Sequence, residues 1–402
     1  MRTTVQCSRR TLAVLGGASF LSLAACQSRN ASPRASASSP ARLRVVASTT
    51  QIADYVTQLA SGGDDLAFTR TGADGAIQEL GARPSQATLH LELTCLLAAN
   101  ASAHEHEMTV PQSQALAQAD LFLVSGVDLE HFLDDAVLAT GFKGTMVVTS
   151  GVLGAADVDD LAAQKEKEAE LAYAVDRGQT AVEVSPWPFG AEDAGSEPEF
   201  RYDPHVWTSP RGAAVQVANI GKALERAAGA GGGVRTLRDH VEAYTRRLER
   251  LDQWVRDSLA TVEASKRVLF TSHDAFGYFA RDYGVRFEGA ALSDFNAQQD
   301  ATAHKIQQTV DAIRSSGAVA IFAETSNNPR SVSRIAELAG VRAVIGDEAL
   351  YGDSLGEPGS DGETYIGSIL HNVTNMTTAW GGTAAELPQE LRPWAPQDVL
   401  EP

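Results

Sequence analysis

From Leu237 to Val262 the residues Leu237, Val241, Tyr244, Leu248, Leu251, Val255, Leu259 and Val262 follow one another at steps of 4, 3, 4, 3, 4, 4 and 3. An unbroken run of such steps is the signature of one apolar helix face. The other face is charged, with Glu242–Arg246 and Asp252–Arg256 spaced i, i+4 and the acid first, the favourable order. Gly229 and Gly231–Gly233 interrupt the chain just before it. The spacing predicts a helix of about 30 residues, roughly 45 Å long, more than one domain layer needs. A chain of 402 residues has the length of about two domains. The helix is therefore expected to join two lobes, residues 43–232 and 267–385, with 233–266 as the link and 386–402 as a tail.

Both lobes read as α/β. Leu43–Ala47, Leu121–Val124, Met146–Val148, Val268–Phe270, Val319–Phe322 and Arg342–Ile345 are short, near-continuous apolar runs, with helical patterns between several of them. Strands buried on both faces of a mainly parallel sheet look like this. Ser48-Thr49-Thr50 offers hydroxyls that can cap a helix starting near Ile52. Two stretches, 62–90 and 155–202, lack clear periodicity and are expected to be insertions that make solvated surface excursions. The second is acidic and holds no His.

Charge is distributed unevenly. The net charge is −18, yet residues 1–40 contain five Arg and no acid, which leaves −23 on the remainder. A body that acidic is not a nucleic-acid binder and is repelled by anionic lipid. The first residues supply another means of reaching a membrane. Ser8-Arg9-Arg10 precedes the apolar run Thr11–Leu21, too short to span a bilayer and suited to an export signal. Either the general secretory or the twin-arginine route fits the Arg pair. Leu23-Ala24-Ala25-Cys26 resembles a bacterial lipobox, so residues 1–25 are expected to be cleaved as a signal peptide and Cys26 acylated. Residues 26–42 would then form a flexible tether rich in Ser, Ala and Pro. With Cys7 lost and Cys26 lipidated, only Cys95 remains in the folded part. Any metal site must then be built from His and carboxylates.

Among nine His, a few have distinctive settings. His205 lies in Asp203-Pro204-His205-Val206-Trp207, where Pro discourages helix before the His. His273 directly follows the run Val268–Phe270, at the strand end where open α/β sheets place ligands. His104 and His106 share Ala103-His104-Glu105-His106-Glu107. Asp353 sits in the turn-prone Tyr351-Gly352-Asp353-Ser354-Leu355-Gly356. Glu324, Asp203 and Asp274 lie near these candidates, either as acceptors that orient a ligand His or as solvated carboxylates.

Taken together, Val46–Asp54, Asp203–Trp207, Ser272–Tyr278, Gly352–Gly356 and Thr364–Gly367 with Asn372 resemble the zinc/manganese-binding solute-binding lipoproteins of bacterial metal ABC importers (cluster A-I), in family order across residues 43–380. The resemblance implies two α/β lobes bridged by a rigid helix, with a metal ion held in the cleft. It implies His104, His205, His273 and Asp353 as ligands, with His106 the alternative to His104. The family usually has Asp-Pro ahead of its first ligand His, where this chain has Ser102-Ala103. Manganese-selective relatives typically carry Glu at the position of His273. Three imidazoles and one carboxylate suit Zn²⁺ better than the more oxygen-seeking Mn²⁺.

The implied protein is not an enzyme. It is a monomeric receptor, lipid-anchored on the outer face of the cell membrane, that delivers Zn²⁺ to an ABC permease. The same role for Mn²⁺, or a metal-stabilised surface adhesin, is the alternative. A zinc hydrolase is disfavoured because neither His-Glu-x-x-His nor a nucleophile elbow occurs. A ferric-siderophore receptor would need Arg or aromatic groups at the motif positions, where this chain has His and Asp.

Overall fold

The computed structural model describes residues 41–401 except 105, 190–197, 199, 231 and 289–302. The export signal, Cys26 and most of the tether lie outside the described residues.

The first lobe is built on one sheet with the strand order β3-β2-β4-β1-β5-β6-β7. Its elements run β1 (Ala41–Ala47), α1 (Thr50–Ala60), β2 (Leu66–Thr71), β3 (Ile77–Gly81), β4 (Leu89–Cys95), α2 (Val110–Ala117), β5 (Leu121–Val124), α3 (Leu133–Thr140), β6 (Thr145–Val148), α4 (Ala155–Glu168), β7 (Ala174–Asp176) and α5 (Pro210–Ala228). Every pairing is parallel except the β2–β3 hairpin. Central β1, flanked by β4 and β5, carries Val45, Val46 and Ala47 with almost no exposure on either face, as a doubly covered strand requires. Thr49 caps α1 by accepting from the Ile52 N–H at 3.3 Å.

The periodic segment forms α6 (Val234–Ala260), 27 residues, about 40 Å long. Leu237, Tyr244, Leu248, Leu251, Trp254, Val255 and Leu259 are buried, and Asp252 pairs with Arg256 across one turn. The helix stops two residues short of Val262, where the Thr261 hydroxyl folds back onto the Ser258 carbonyl and accepts from the Thr383 N–H.

The second lobe holds β8 (Val268–Leu269), α7 (Gly277–Tyr283), β9 (Arg286–Phe287), α8 (Ala303–Ser316), β10 (Ala320–Phe322), α9 (Pro329–Ala339), β11 (Arg342–Val344) and α10 (Tyr365–Ala379). Parallel pairs β8–β9 and β10–β11 are stitched together where the Phe322 N–H donates to Phe270 O and the Ser272 N–H to Phe322 O. Val268, Phe270, Val310, Ile313, Ile321, Val332 and Ile335 form its own core. A second core runs continuously from the first lobe through α6 to Tyr365, Ile366 and Leu370 of α10.

Three expectations need correction. Residues 62–90 are not a solvated excursion. They contain β2, paired along its whole length with β4, and Leu66 and Phe68 are buried. The stretch 155–202 is solvated only in part: β7 extends the sheet, and Phe200 is buried. Residues 386–401 are more than a tail. Leu391 and Leu400 are buried, the Leu400 N–H donates to Asn375 Oδ1 at 2.7 Å, and Arg247 of α6 covers the Trp394 ring. Among the described residues no helix is long and apolar enough to cross a membrane.

Candidate metal centre

Four loops converge where the two lobes meet. His104 lies between β4 and α2, where its N–H donates to Ser102 Oγ. That local side-chain turn tightens the loop where the resembled family has Asp-Pro. His205 precedes a 3₁₀ turn, Val206–Thr208. Asp203 Oδ1 accepts from both the His205 N–H (2.9 Å) and its ring Nδ1 (2.8 Å), which turns Nε2 inward. His273 follows the end of the β8 run, its carbonyl held by the Thr271 hydroxyl at 2.6 Å. Asp353 sits beyond β11, just after Leu350, whose N–H donates to Ala323 O.

The structure brings His104, His205, His273 and Asp353 together, each offering one ligand atom, all within 4.8 Å of one another. His205 Nε2 lies 3.0 Å from His104 Nε2 and 3.3 Å from His273 Nε2. Asp353 Oδ1 lies 2.9, 3.5 and 3.6 Å from the Nε2 atoms of His273, His205 and His104. A tetrahedron with metal–ligand bonds of ~2.0 Å has edges of ~3.3 Å. The five distances scatter about that value. His205 is wholly buried, Asp353 is 2% exposed, and the His273 side chain, at 13%, is the most exposed of the four.

The electrostatics of the cluster suit a cation. Burial opposes ionisation of Asp353, but His273, His104 and His205 around it hold the carboxyl well below its ordinary range. Burial likewise disfavours the imidazolium of His273, yet Asp353, with Glu324 and Asp274 beyond, pushes it up to about 10. His205, buried but bonded to Asp203 and facing Asp353, rises to about 9. Burial outweighs Asp353 at His104 and lowers it. A single cation would replace those protons and offer all four groups one shared partner.

The remaining candidates separate. His106 stands outside the group, its ring edge-on to Phe132 at 5.3 Å. Asp203 orients His205, as above. Glu324 is not a solvated loop carboxylate: it is buried, burial pushes it up to about 8, and neither oxygen makes a hydrogen bond among the described residues. Asp274 is buried beside His273 and adds to the negative field there. Two aromatic residues missed in the sequence roof the centre. Phe200 lies 5.3 Å from the His104 ring and stacks on His131, and Trp187 lies 5.2 Å from Phe200 and 6.2 Å from His205. Isolated aromatics in a loop rich in Pro, Gly and acids carry no periodic signal that marks them.

The family model for the zinc-uptake complex component A, periplasmic (ZnuA), matches residues 45–379, which span all four loops. The chain belongs to this family. The ZnuA family is one of metal-binding substrate-binding proteins of ABC importers rather than of enzymes. Similar relatives include the manganese-binding lipoprotein MntA of Bacillus subtilis, 27% identical over 72% of this chain and 83% of that protein. The zinc-binding protein TroA of Treponema pallidum is 33% identical over 45% of this chain and 58% of its own. In solved form the Treponema TroA aligns with a TM-score of 0.58 at 24% identity, covering 85% of this chain and 99% of that one. A manganese-bound periplasmic metal-binding protein of Candidatus Liberibacter asiaticus, an S38A variant, gives 0.59 at 18%, with the same coverage. These likenesses carry the two-lobe fold of the ZnuA family over to this chain.

Proposed function

We propose that the protein captures Zn²⁺ outside the cytoplasm, holds it between its lobes through His104, His205, His273 and Asp353, and hands it to an ABC permease. The observation that carries the reading is the convergence of three imidazole nitrogens and one carboxylate oxygen, from both lobes, with five of their six separations near a tetrahedral edge. Four protein ligands leave no open position for a reacting water, which suits sequestration rather than hydrolysis. Because ligands come from both lobes, parting the lobes would dismantle the centre, a physical route to release.

The relatives are named for manganese and for zinc alike, so their names do not choose the ion. The donor set favours zinc. Mn²⁺ prefers more oxygen ligands and higher coordination than a buried His₃Asp site beneath aromatic rings supplies. Manganese as cargo is the competing reading, supported by the names of the Bacillus subtilis relative and of the PsaA lipoprotein of Streptococcus anginosus.

Removal of residues 1–25 and acylation of Cys26 would tether the receptor, as a monomer, to the outer face of the membrane, with 26–42 as the flexible leash. Metal analysis of the purified protein, with Zn²⁺ and Mn²⁺ in competition, tests the cargo. One Zn²⁺ per chain, lost in His205→Ala and His273→Ala, is expected. Binding unchanged in both variants would overturn the ligand assignment. Lipid labelling that persists in Cys26→Ser would overturn the anchor.

A further inference from the structure

Asp353 belongs to the second lobe, yet the backbone around it is held chiefly by the first. Trp207 Nε1 donates to Gly352 O at 2.8 Å, and Gln51 Nε2 donates to Asp353 O at 3.1 Å. Those carbonyls belong to the two peptide planes on either side of the Asp353 Cα. Fixing both planes fixes φ and ψ of Asp353, and with them the direction of its Cα–Cβ bond. The Gln51 amide is itself oriented: the Thr50 hydroxyl donates to Oε1 at 3.2 Å, which leaves Nε2 facing the carbonyls. Thr50 Oγ1 in turn accepts from the Leu355 N–H at 2.8 Å, and the Asn100 N–H donates to Leu355 O at 3.0 Å. Gln51 and Trp207 are both buried, so water does not compete for these bonds.

The same local structures present ligand and clamp together. Trp207 stands two residues after His205 in one 3₁₀ turn. Gln51 lies in the first turn of α1, whose Asp54 reaches across to accept from the Tyr365 N–H at the start of α10 (2.9 Å). Tyr365 closes the circuit by donating to Trp207 O at 2.7 Å.

We propose that Gln51 and Trp207 are positioning residues which, from the opposite lobe and without touching the ion, aim the Asp353 carboxylate into the metal centre. Lobe docking and the fourth ligand are thereby the same event: when the lobes part, these bonds break and Asp353 loses its aim. The inference rests on the ligand assignment proposed above.

A double-mutant cycle tests it on the full chain, with Zn²⁺ affinity read by chelator competition and metal-free stability by thermal melting. Gln51→Met keeps the length and removes the donor. It is expected to weaken Zn²⁺ binding about tenfold, as loss of an outer orienting partner commonly does. In an Asp353→Ala background the same change is expected to have less than a twofold effect, because nothing is left to aim. Bound Co²⁺ in Gln51→Met should show weaker visible absorption, as the tetrahedral geometry loosens, while metal-free melting changes little.

Equal weakening with and without Asp353 would mean a general packing effect and would overturn the inference, as would unchanged affinity in Gln51→Met alone. If Gln51→Met does not fold, Trp207→Phe, which removes the indole donor, is carried through the same cycle with the same criteria. Asp353→Ala with native affinity would overturn the ligand assignment itself, and this inference with it. Full loss in Asp353→Ala with no effect of either clamp variant would overturn the inference alone.

Discussion

Replacing Asp203 by Asn isolates the charge that orients a ligand without removing the ligand. Asp203 Oδ1 accepts from the N–H and ring Nδ1 of wholly buried His205 at 2.9 and 2.8 Å. A hydrogen bond to an ionised acceptor contributes about 1.5–3 kcal/mol, roughly twice a neutral one. Asn keeps the shape and one accepting oxygen, so the charge-dependent half, about 0.75–1.5 kcal/mol, is what is lost. That corresponds to a Zn²⁺ affinity weaker by roughly 4- to 13-fold. The lower end of the 10- to 100-fold range for orienting partners of metal-bound His agrees. The assay is competition against a chromogenic chelator at fixed pH and salt, alongside His205→Ala. If Asp203→Asn binds Zn²⁺ within twofold of the native protein while His205→Ala abolishes binding, Asp203 does not tune the imidazole and the reasoning fails.

Further outcomes follow from the same geometry. A Cβ on Gly277 would lie 2.1 Å from Asp203 Oδ2, so Gly277→Ala must push Asp203 aside. It should lower metal-free stability by about 1–3 kcal/mol, read by denaturant melts, and weaken Zn²⁺ binding as well. His104→Ala should weaken Zn²⁺ binding by at least about 100-fold, about 2.7 kcal/mol, whereas His106→Ala leaves one ion per chain at near-native affinity. The reverse pattern would exchange their roles. Protons held by His205 and His273 up to about 9 and 10 must leave before zinc binds. Affinity should therefore rise with pH through neutrality and level off only above those values. Titration calorimetry in buffers of different ionisation enthalpy measures the released protons, and pH-independent binding would contradict the assignment.

The parts of the fold with a strong one-dimensional signal were legible in the sequence. The unbroken 3–4 spacing from Leu237 became α6, and the continuous apolar runs became strands, β5 among them buried at every residue. The β2–β3 hairpin left no such trace. Leu66-Ala67-Phe68 is a buried triplet that runs straight into polar Thr69-Arg70-Thr71, and β3 is an exposed edge strand.

At the candidate centre the residue types were readable because each ligand lies in a compact local motif. The choice between His104 and His106 needed the loop, which turns one ring toward His205 and the other against Phe132. Gln51 and Trp207 lie within the Val46–Asp54 and Asp203–Trp207 motifs, where nothing in the sequence marks their role. Their partners are backbone carbonyls 302 and 145 residues away, and a carbonyl carries no sequence identity. Phe200 meets His104 beside a pairing of distant residues, the Trp187 N–H donating to Arg201 O.

X-ray absorption at the zinc edge, on protein loaded to saturation and freed of excess metal, bears most directly on the central claim. One Zn²⁺ per chain is expected, with four light-atom neighbours at ~2.0–2.1 Å and the outer-shell scattering of three imidazoles. In Asp353→Ala the protein-oxygen contribution should vanish while the three imidazoles stay. A first shell of six oxygens, fewer than three imidazoles, or the same spectrum from the His205→Ala and His273→Ala variants would contradict the assignment of His104, His205, His273 and Asp353 as the metal centre.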